Sequence, residues 1–381
     1  MIYKILFFGS TSDSVIVLEK LYNLQPFASA CDKPTTFNLR LASVVTQPPR
    51  PVGRDKMLMA TPVELWAHGH HIPVLTFPTN HDKPWLYEDD QTVIDTLEPF
   101  KADLLVSACY GQKIPAGIIS KTRLGGINIH PSLLPRWRGA DPVPWAILTG
   151  DHQTGVTVVT LAERFDQGTI IAKKKIPISD RDTSDALRTK LFSIGSNLLV
   201  DTFPSLLAAK SKTTFKGATL QGDIKPNHPY ARRFTRDDGF LPWTLIQQAL
   251  RQETGDKRQV NEETTKQSAL PAGVQFACWR NKVAIVKDYI KYANTSDQDK
   301  PISVIFERFF RALHPWPGIW TLINPTNVTN TTNKQIRRLK ILSCHLSPAT
   351  CLLSLDIVQL EGKNPMDFAQ FIRAYPMVLD N

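Results

Sequence analysis

Gly126-Ile127-Asn128-Ile129-His130-Pro131-Ser132-Leu133-Leu134-Pro135-Arg136-Trp137-Arg138-Gly139 begins as a short apolar strand and leaves it through a Pro-braced turn with a cationic, aromatic exit. Asn128 and His130 stand two apart. Side chains at that spacing share one face of a strand, so the carboxamide and the imidazole project together. Upstream, Ala102-Asp103-Leu104-Leu105-Val106-Ser107-Ala108 reads as a second brief, buried strand. In an open sheet of such strands, ligands bind beyond the carboxyl ends. A lone His or Asn is most often a satisfied core or turn residue, but no structural need accounts for this pair followed by this turn.

The first half of the chain alternates strand and helix signals. Strands are expected at 3–9, 39–46, 72–77, 102–109, 126–130, 155–161 and 169–178, and helices at 13–24, 61–70, 91–99, 142–149 and 183–209. That alternation gives an α/β domain, a mostly parallel sheet covered by helices. The last helix has caps in Asp182, Thr183 and Ser184 and apolar positions Leu187, Leu191, Ile194, Leu198 and Leu199 at three-to-four spacing. It closes a first domain at 1–209, followed by a Lys/Ser/Thr-rich linker at 210–222 and a second domain at 223–381. There, Lys282-Val283-Ala284-Ile285-Val286, Leu339-Lys340-Ile341-Leu342 and Leu352 to Val358 read as strands of a small antiparallel barrel. Polar stretches at Gln252 to Gln267 and Asn324 to Gln335 separate them, and the second reads as a flexible insertion. Gly9 follows the first strand without a Gly-x-Gly-x-x-Gly pattern, so no dinucleotide site is expected.

The 381 residues exceed the usual single-domain size, and 42% hydrophobic with 21% charged residues is an ordinary globular balance. No apolar run approaches the roughly 20 residues that span a bilayer, so a soluble protein without membrane contact is expected. Cys31, Cys109, Cys278, Cys344 and Cys351 are scattered, which argues for a reducing compartment and against a zinc site or a disulfide framework. The opening residues show neither a secretory signal nor an Arg- and Ser-rich transit peptide. Charge is uneven along the chain. Residues 1–210 hold 22 Lys+Arg against 20 Asp+Glu, a balance of +2, whereas residues 211–381 hold 23 against 15, a balance of +8. A basic second half favours a polyanionic partner, nucleic acid before membrane.

The segment 128–139 resembles the signature of the formyltransferase family that uses 10-formyltetrahydrofolate. The resemblance implies a catalytic set of Asn128, His130 and an Asp from the Asp-x-Gly stretch Asp166-Gln167-Gly168. It also implies that Ser132, Leu133, Leu134 and Pro135 form the turn bordering the folate, and that no metal takes part. The implied fold is a Rossmann-like catalytic domain with a C-terminal OB-like domain. Three further stretches are similar to C-terminal landmarks of the branch that formylates initiator methionyl-tRNA: His228 to Phe234, Arg311 to Gly318 and Val358 to Lys363. Val44 to Arg54 resembles that branch's loop for the tRNA acceptor arm. Phosphate-pairing residues are then expected at Arg50, Arg54, Lys56, Arg136 and Arg138, while Trp137 is equally a base-stacking or a core residue.

The sequence departs from the bacterial loop after Arg54, where Asp55-Lys56-Met57-Leu58 thins the positive charge. Insertions at Leu24 to Phe37 and Pro78 to Gln91 suit a eukaryotic, mitochondrial-matrix version, with a cytoplasmic one as the alternative. A monomer is expected. Also open at this point are a sugar-amine formyltransferase, a formyltetrahydrofolate hydrolase domain and a non-catalytic RNA-binding relative.

Overall fold

The computed structural model describes residues 2–25, 38–52, 55–208, 218–222, 229–251, 283–293, 300–324, 336–347 and 349–378. Within them the chain divides into two compact units. Unit 1 comprises Met1–Pro142, Gln153–Pro177 and Leu187–Arg232, and unit 2 comprises Val143–His152, Ile178–Ala186 and Arg233–Asn381. The two interleave in sequence where a single cut at 210–222 was expected. Residues 218–222 of that expected linker are folded onto unit 1, Thr219 exchanging backbone hydrogen bonds of 2.8 Å in both directions with Ile170. The remainder of the linker, 210–217, lies outside the described residues.

Unit 1 is built on β1 (Ile2–Phe8), β2 (Asn38–Thr46), β5 (Val74–Thr76), β6 (Leu104–Ala108), β7 (Gly126–His130), β9 (Gln153–Thr160) and β10 (Ile170–Pro177). They form one sheet of order β10-β9-β7-β6-β1-β2-β5, parallel from β7 through β5, with β9 and β10 antiparallel at one edge. The apolar runs account for this. Ile5 to Phe8, Leu104 to Val106 and Ile127 with Ile129 are almost wholly inaccessible, as strands covered on both faces must be. Helices α1 (Ser12–Tyr22), α2 (Pro62–Gly69), α3 (Asp90–Leu97), α4 (Ala116–Lys121) and α6 (Ser184–Ala208) from Leu187 on belong to this unit, whereas α5 (Pro142–Leu148), which continues the alternation in sequence, falls in unit 2 beyond Pro142. Thr11, Thr61 and Asp89 cap the first three with their side chains. Helix α6 spans 25 residues and, among the described residues, is the one helix long and apolar enough to cross a bilayer, which corrects the reading that no such run exists. Its apolar positions Leu187, Leu191, Phe192, Leu199 and Phe203 are fully buried in the protein.

Two small pairings complete the first unit. β3 (Arg50–Val52) and β4 (Met57–Met59) form an antiparallel hairpin, and β8 (Arg138–Gly139) pairs in parallel with β11 (Tyr230–Ala231). Insertion 78–91 folds back through an isolated bridge, Thr79 to Tyr87, and the buried Tyr87 hydroxyl bonds that of Tyr110 at 2.6 Å. Insertion 24–37 lies outside the described residues beyond Gln25.

Unit 2 carries a four-stranded antiparallel sheet of order β12 (Ile319–Ile323), β13 (Arg337–Leu346), β14 (Leu353–Leu360) and β15 (Met366–Asp367). The expected strands at 339–342 and 352–358 lie within it, and its order is open among the described residues. The stretch 283–286 is not a strand but the start of the helix Ala284–Tyr292. Its Ile285, Val286 and Tyr289 fall at three-to-four spacing and are buried, so packing of a helical face overrides the β-branched composition. Helix Ile302–Leu313 sends Ile302, Ile305, Phe306, Phe309 and Leu313 into the same unit's core. The polar segments 252–267 and 325–335 lie outside the described residues.

Candidate active site

Strand β7 delivers Asn128 and His130 to one side of the sheet, as alternation requires. The loop from β9 to β10 brings Asp166 to the same side. Asp166 Oδ1 lies 3.3 Å from His130 Nδ1 and 3.5 Å from Asn128 Nδ2, while Oδ2 accepts the Gly139 amide at 3.0 Å. The three side chains named from the sequence therefore meet at one carboxylate. His130 is buried, the Asp166 side chain is 10% exposed and Asn128 is half-buried.

Burial of the His130 imidazole pulls its pKa down, but the Asp166 charge, its hydrogen bond and the Trp137 carbonyl outweigh burial and leave it raised. Burial pushes Asp166 up, and the His130 charge, both hydrogen bonds and the Arg138 charge bring it below the ordinary carboxylate value. His130 Nε2 sits 2.9 Å from the Trp137 carbonyl, which can only accept, so that nitrogen carries a proton. With Nδ1 facing a carboxylate, the pair holds a second proton between them.

The loop reaches the site because of Gly168. A Cβ there would lie 1.8 Å from the Thr160 carbonyl oxygen, so no other residue allows the chain to close so tightly on β9. Asp166 itself has a left-handed backbone, φ +56°. This is the physical content of the Asp-x-Gly pattern.

The turn after β7 corrects several expectations. Ser132 is buried, and its hydroxyl donates to the Arg136 carbonyl at 2.8 Å, so its proton is spent pinning the turn. Leu134 packs with Val159 and Ile170 in the core. Of the four expected folate neighbours, only Leu133 and Pro135 are part-exposed. Trp137 is 1% exposed, which decides for core packing over base stacking. Arg138 is buried as well. Its Nε and Nη2 donate to Gln221 Oε1 at 2.9 and 2.6 Å, so it cannot reach a phosphate at the surface. Arg136 lies over the Trp137 ring at 4.6 Å. Arg50 and Lys56 are exposed on the β3–β4 hairpin together with Met57, Leu58 and Met59, whereas Arg54 lies outside the described residues.

Three residues escaped sequence reasoning. Gln221, read as linker, binds the Asp166 loop: its Nε2 donates to the Asp166 and Gly168 carbonyls, each at 2.8 Å. Tyr230, read as part of the second domain, stands half-exposed against Gly139. Burial, then the Asp166 charge, raises its hydroxyl pKa. Gln112, on the loop beyond β6, is 2% exposed with neither amide atom bonded among the described residues. Only adjacency to the carboxyl end of a strand could have flagged it. No three His, Cys, Asp or Glu side chains group as metal ligands among the described residues.

At the amino end of α1, where sheets of this kind often take a phosphate, this chain is filled by its own groups. Thr11 and Ser14 cap each other, and the buried Asp13 carboxylate accepts Arg188 Nε at 2.6 Å.

Residues 14–203 match the family model described as formyl transferase. The methionyl-tRNA formyltransferase of Listeria monocytogenes serotype 4a is 34% identical over 285 residues, covering 71% of this chain and 83% of the relative. That of Staphylococcus epidermidis is 32% identical over 247 residues, covering 65% and 70%. Among solved structures, a phosphoribosylglycinamide formyltransferase from Bacillus halodurans aligns with 56% of this chain and 100% of its own at 23% identity, with a TM-score of 0.42. With a relative matched over most of its length and the Asn128, His130 and Asp166 set assembled at one carboxylate, the chain belongs to the methionyl-tRNA formyltransferase family of formyl transferases.

Proposed function

We propose that the protein transfers the formyl group of 10-formyltetrahydrofolate to the α-amino group of methionyl-initiator tRNA, and so serves translation initiation. The observation that carries the chemistry is the convergence of Asn128 and His130 on Asp166 Oδ1, within 3.5 and 3.3 Å. When bound, the folate supplies a formyl carbon held on an amide-like nitrogen. Asn128 donates an N–H to the formyl oxygen as negative charge gathers there, and the His130 imidazolium adds its positive charge. Asp166 takes up the proton that the attacking amine sheds, and the Asp166–His130 pair returns one to the departing nitrogen, ending in its starting state. Gln112, buried with an unpaired amide, suits the polar edge of a flat heterocycle. Leu133 and Pro135 border it.

For the acceptor, the relatives' printed activity and the +8 balance of residues 211–381 both favour tRNA. Arg50 and Lys56 on the exposed hairpin are the phosphate-pairing groups of unit 1. The test is formyl transfer from 10-formyltetrahydrofolate to charged initiator tRNA, with free methionine, a sugar amine and water as controls. Faster transfer to a control than to the tRNA would overturn the reading. We also propose a mitochondrial-matrix location, on the strength of the insertions at 24–37 and 78–91, and a monomeric protein. Recovery of the native protein only in the cytosolic fraction, or as a dimer in sedimentation, would overturn those two points.

A further inference from the structure

We propose that Gln221 is a positioning residue for the reaction, one that holds the Asp166 loop by its backbone while the loop's side chain acts. The proposal rests on the formyl-transfer reading of this site.

A carboxamide offers two N–H groups and one oxygen with two lone pairs, and Gln221 uses all four. Its Nε2 donates to the carbonyls of Asp166 and Gly168, each at 2.8 Å, and its Oε1 accepts both Arg138 Nε and Nη2 at 2.9 and 2.6 Å. The partners fix the amide's orientation, because carbonyls need donors and a guanidinium needs an acceptor. Gln221 is itself fixed from the chain side, two residues after the reciprocal bonds between Thr219 and Ile170.

Asp166 needs such a restraint. A non-glycine residue in the left-handed region is strained and persists where its surroundings over-determine it. Asn128, His130 and the Gly139 amide all hold the carboxylate. Among the described residues, Gln221 alone reaches the peptide carbonyls at 166 and 168. The circuit closes through Arg138, since its neighbour Gly139 supplies the amide that Asp166 Oδ2 accepts. Gln221 therefore ties together the two backbone segments that present the carboxylate, without touching the reacting groups.

Two substitutions separate its two ends. Gln221→Glu keeps an acceptor for Arg138 but sets a carboxylate against two carbonyl oxygens. Gln221→Met removes both ends, and the double variant Arg138→Met/Gln221→Met restores matched apolar groups, a change that can be nearly neutral for folding. A displacement of about 1 Å at a reacting group can cost roughly 10²-fold in rate. Gln221→Glu and the double variant are both expected to lose kcat on that scale, with KM for charged initiator tRNA moving less than about threefold. Thermal melts report on folding separately.

The independent readout is the titration of the His130 ring by NMR on the free protein. The groups facing His130 or its partner are Asp166, Arg138, Tyr230, Asn128 and the Trp137 carbonyl. In Gln221→Met, which keeps the Arg138 charge that itself lowers the ring's pKa, the midpoint should fall, because Asp166 no longer faces the ring squarely. This readout needs no substrate, so it stands even if the wild-type protein fails to formylate tRNA, an outcome that would sink only the functional reading. Wild-type kcat in Gln221→Glu, recovery of kcat in the double variant, or an unmoved His130 midpoint would each overturn the positioning role.

Discussion

Replacing Asp166 by Asn keeps the shape of the side chain and removes its charge, which makes it the sharpest test of the site. Asp166 accepts three hydrogen bonds, from His130 Nδ1, Asn128 Nδ2 and the Gly139 amide. An Asn there has one oxygen and one NH2, so in either orientation at least one donor faces another donor. A buried polar group left unsatisfied costs about 1–3 kcal/mol, the expected stability loss. The effect on rate is larger. Without the carboxylate, burial and the Arg138 charge pull the His130 pKa down, and the ring gives up its proton more readily. Both the positive charge and the proton store are then gone, and loss of such a group lowers turnover by roughly 10²- to 10⁴-fold. That corresponds to about 3–5 kcal/mol of barrier. Single-turnover transfer to charged initiator tRNA with purified, folded variant measures it. Turnover within a few-fold of wild type would refute the assignment of Asp166.

Stability should also depend on pH through the same pair. His130 is raised when folded, so its contribution is complete below its unfolded value near 6.5 and is lost as pH rises through the folded one. Asp166 is lowered, so its contribution is complete above about 4 and is lost as pH falls through the folded value. The advantage of wild type over Asp166→Asn is therefore greatest between about pH 4 and 6.5, and denaturant midpoints showing it larger at pH 9 would contradict the pairing. Gly168→Ala, whose Cβ would lie 1.8 Å from the Thr160 oxygen, should lose about 1–3 kcal/mol and most activity. Gly69→Ala, with open space around it, is the control and should fold and turn over normally. Trp137→Ala should destabilise by about 3–5 kcal/mol, as a buried aromatic does; an unchanged melting temperature with weakened tRNA binding would instead favour base stacking. Binding of initiator tRNA should weaken steeply with salt, and Arg50→Ala should lower the log–log slope by about one; a flat dependence would remove the phosphate contacts.

Local order was legible where the signal is local. The alternation of strands and helices in the first half follows from periodicity and caps, and Asn128 and His130 could be paired because strand geometry puts residues two apart on one face. Asp166 was not derivable that way. Its contact with His130 depends on a loop folding back over the sheet, which in turn depends on Gly168 allowing close approach to Thr160, and resemblance alone pointed to it. Arg138 and Gln221 were misread for a shared reason. An Arg in a basic stretch and a Gln in a Ser/Thr-rich stretch suggest surface and linker, yet Arg138 is buried and donates two hydrogen bonds to the half-buried Gln221. The helix at 284–292 was hidden by its β-branched opening, with Tyr289 too far along to register in a short window.

The arrangement of protons narrows what His130 can do. A neutral imidazole has one N–H, but the Trp137 carbonyl requires a donor at Nε2 and the Asp166 carboxylate is met by Nδ1. The ring is therefore doubly protonated, or its neutral Nε2–H form faces a protonated Asp166. In both states each ring nitrogen is engaged within the protein, so His130 is not the group that first takes the amine's proton. Its work is to hold a positive charge beside the carboxylate, with Asn128 left as the donor to the formyl oxygen. Activity should then fall on the alkaline side as His130 loses its proton, above the ordinary histidine value because that pKa is raised. If His130 were instead the base, kcat would rise through that range. A pH profile of kcat at saturating tRNA separates the two by the sign of its slope.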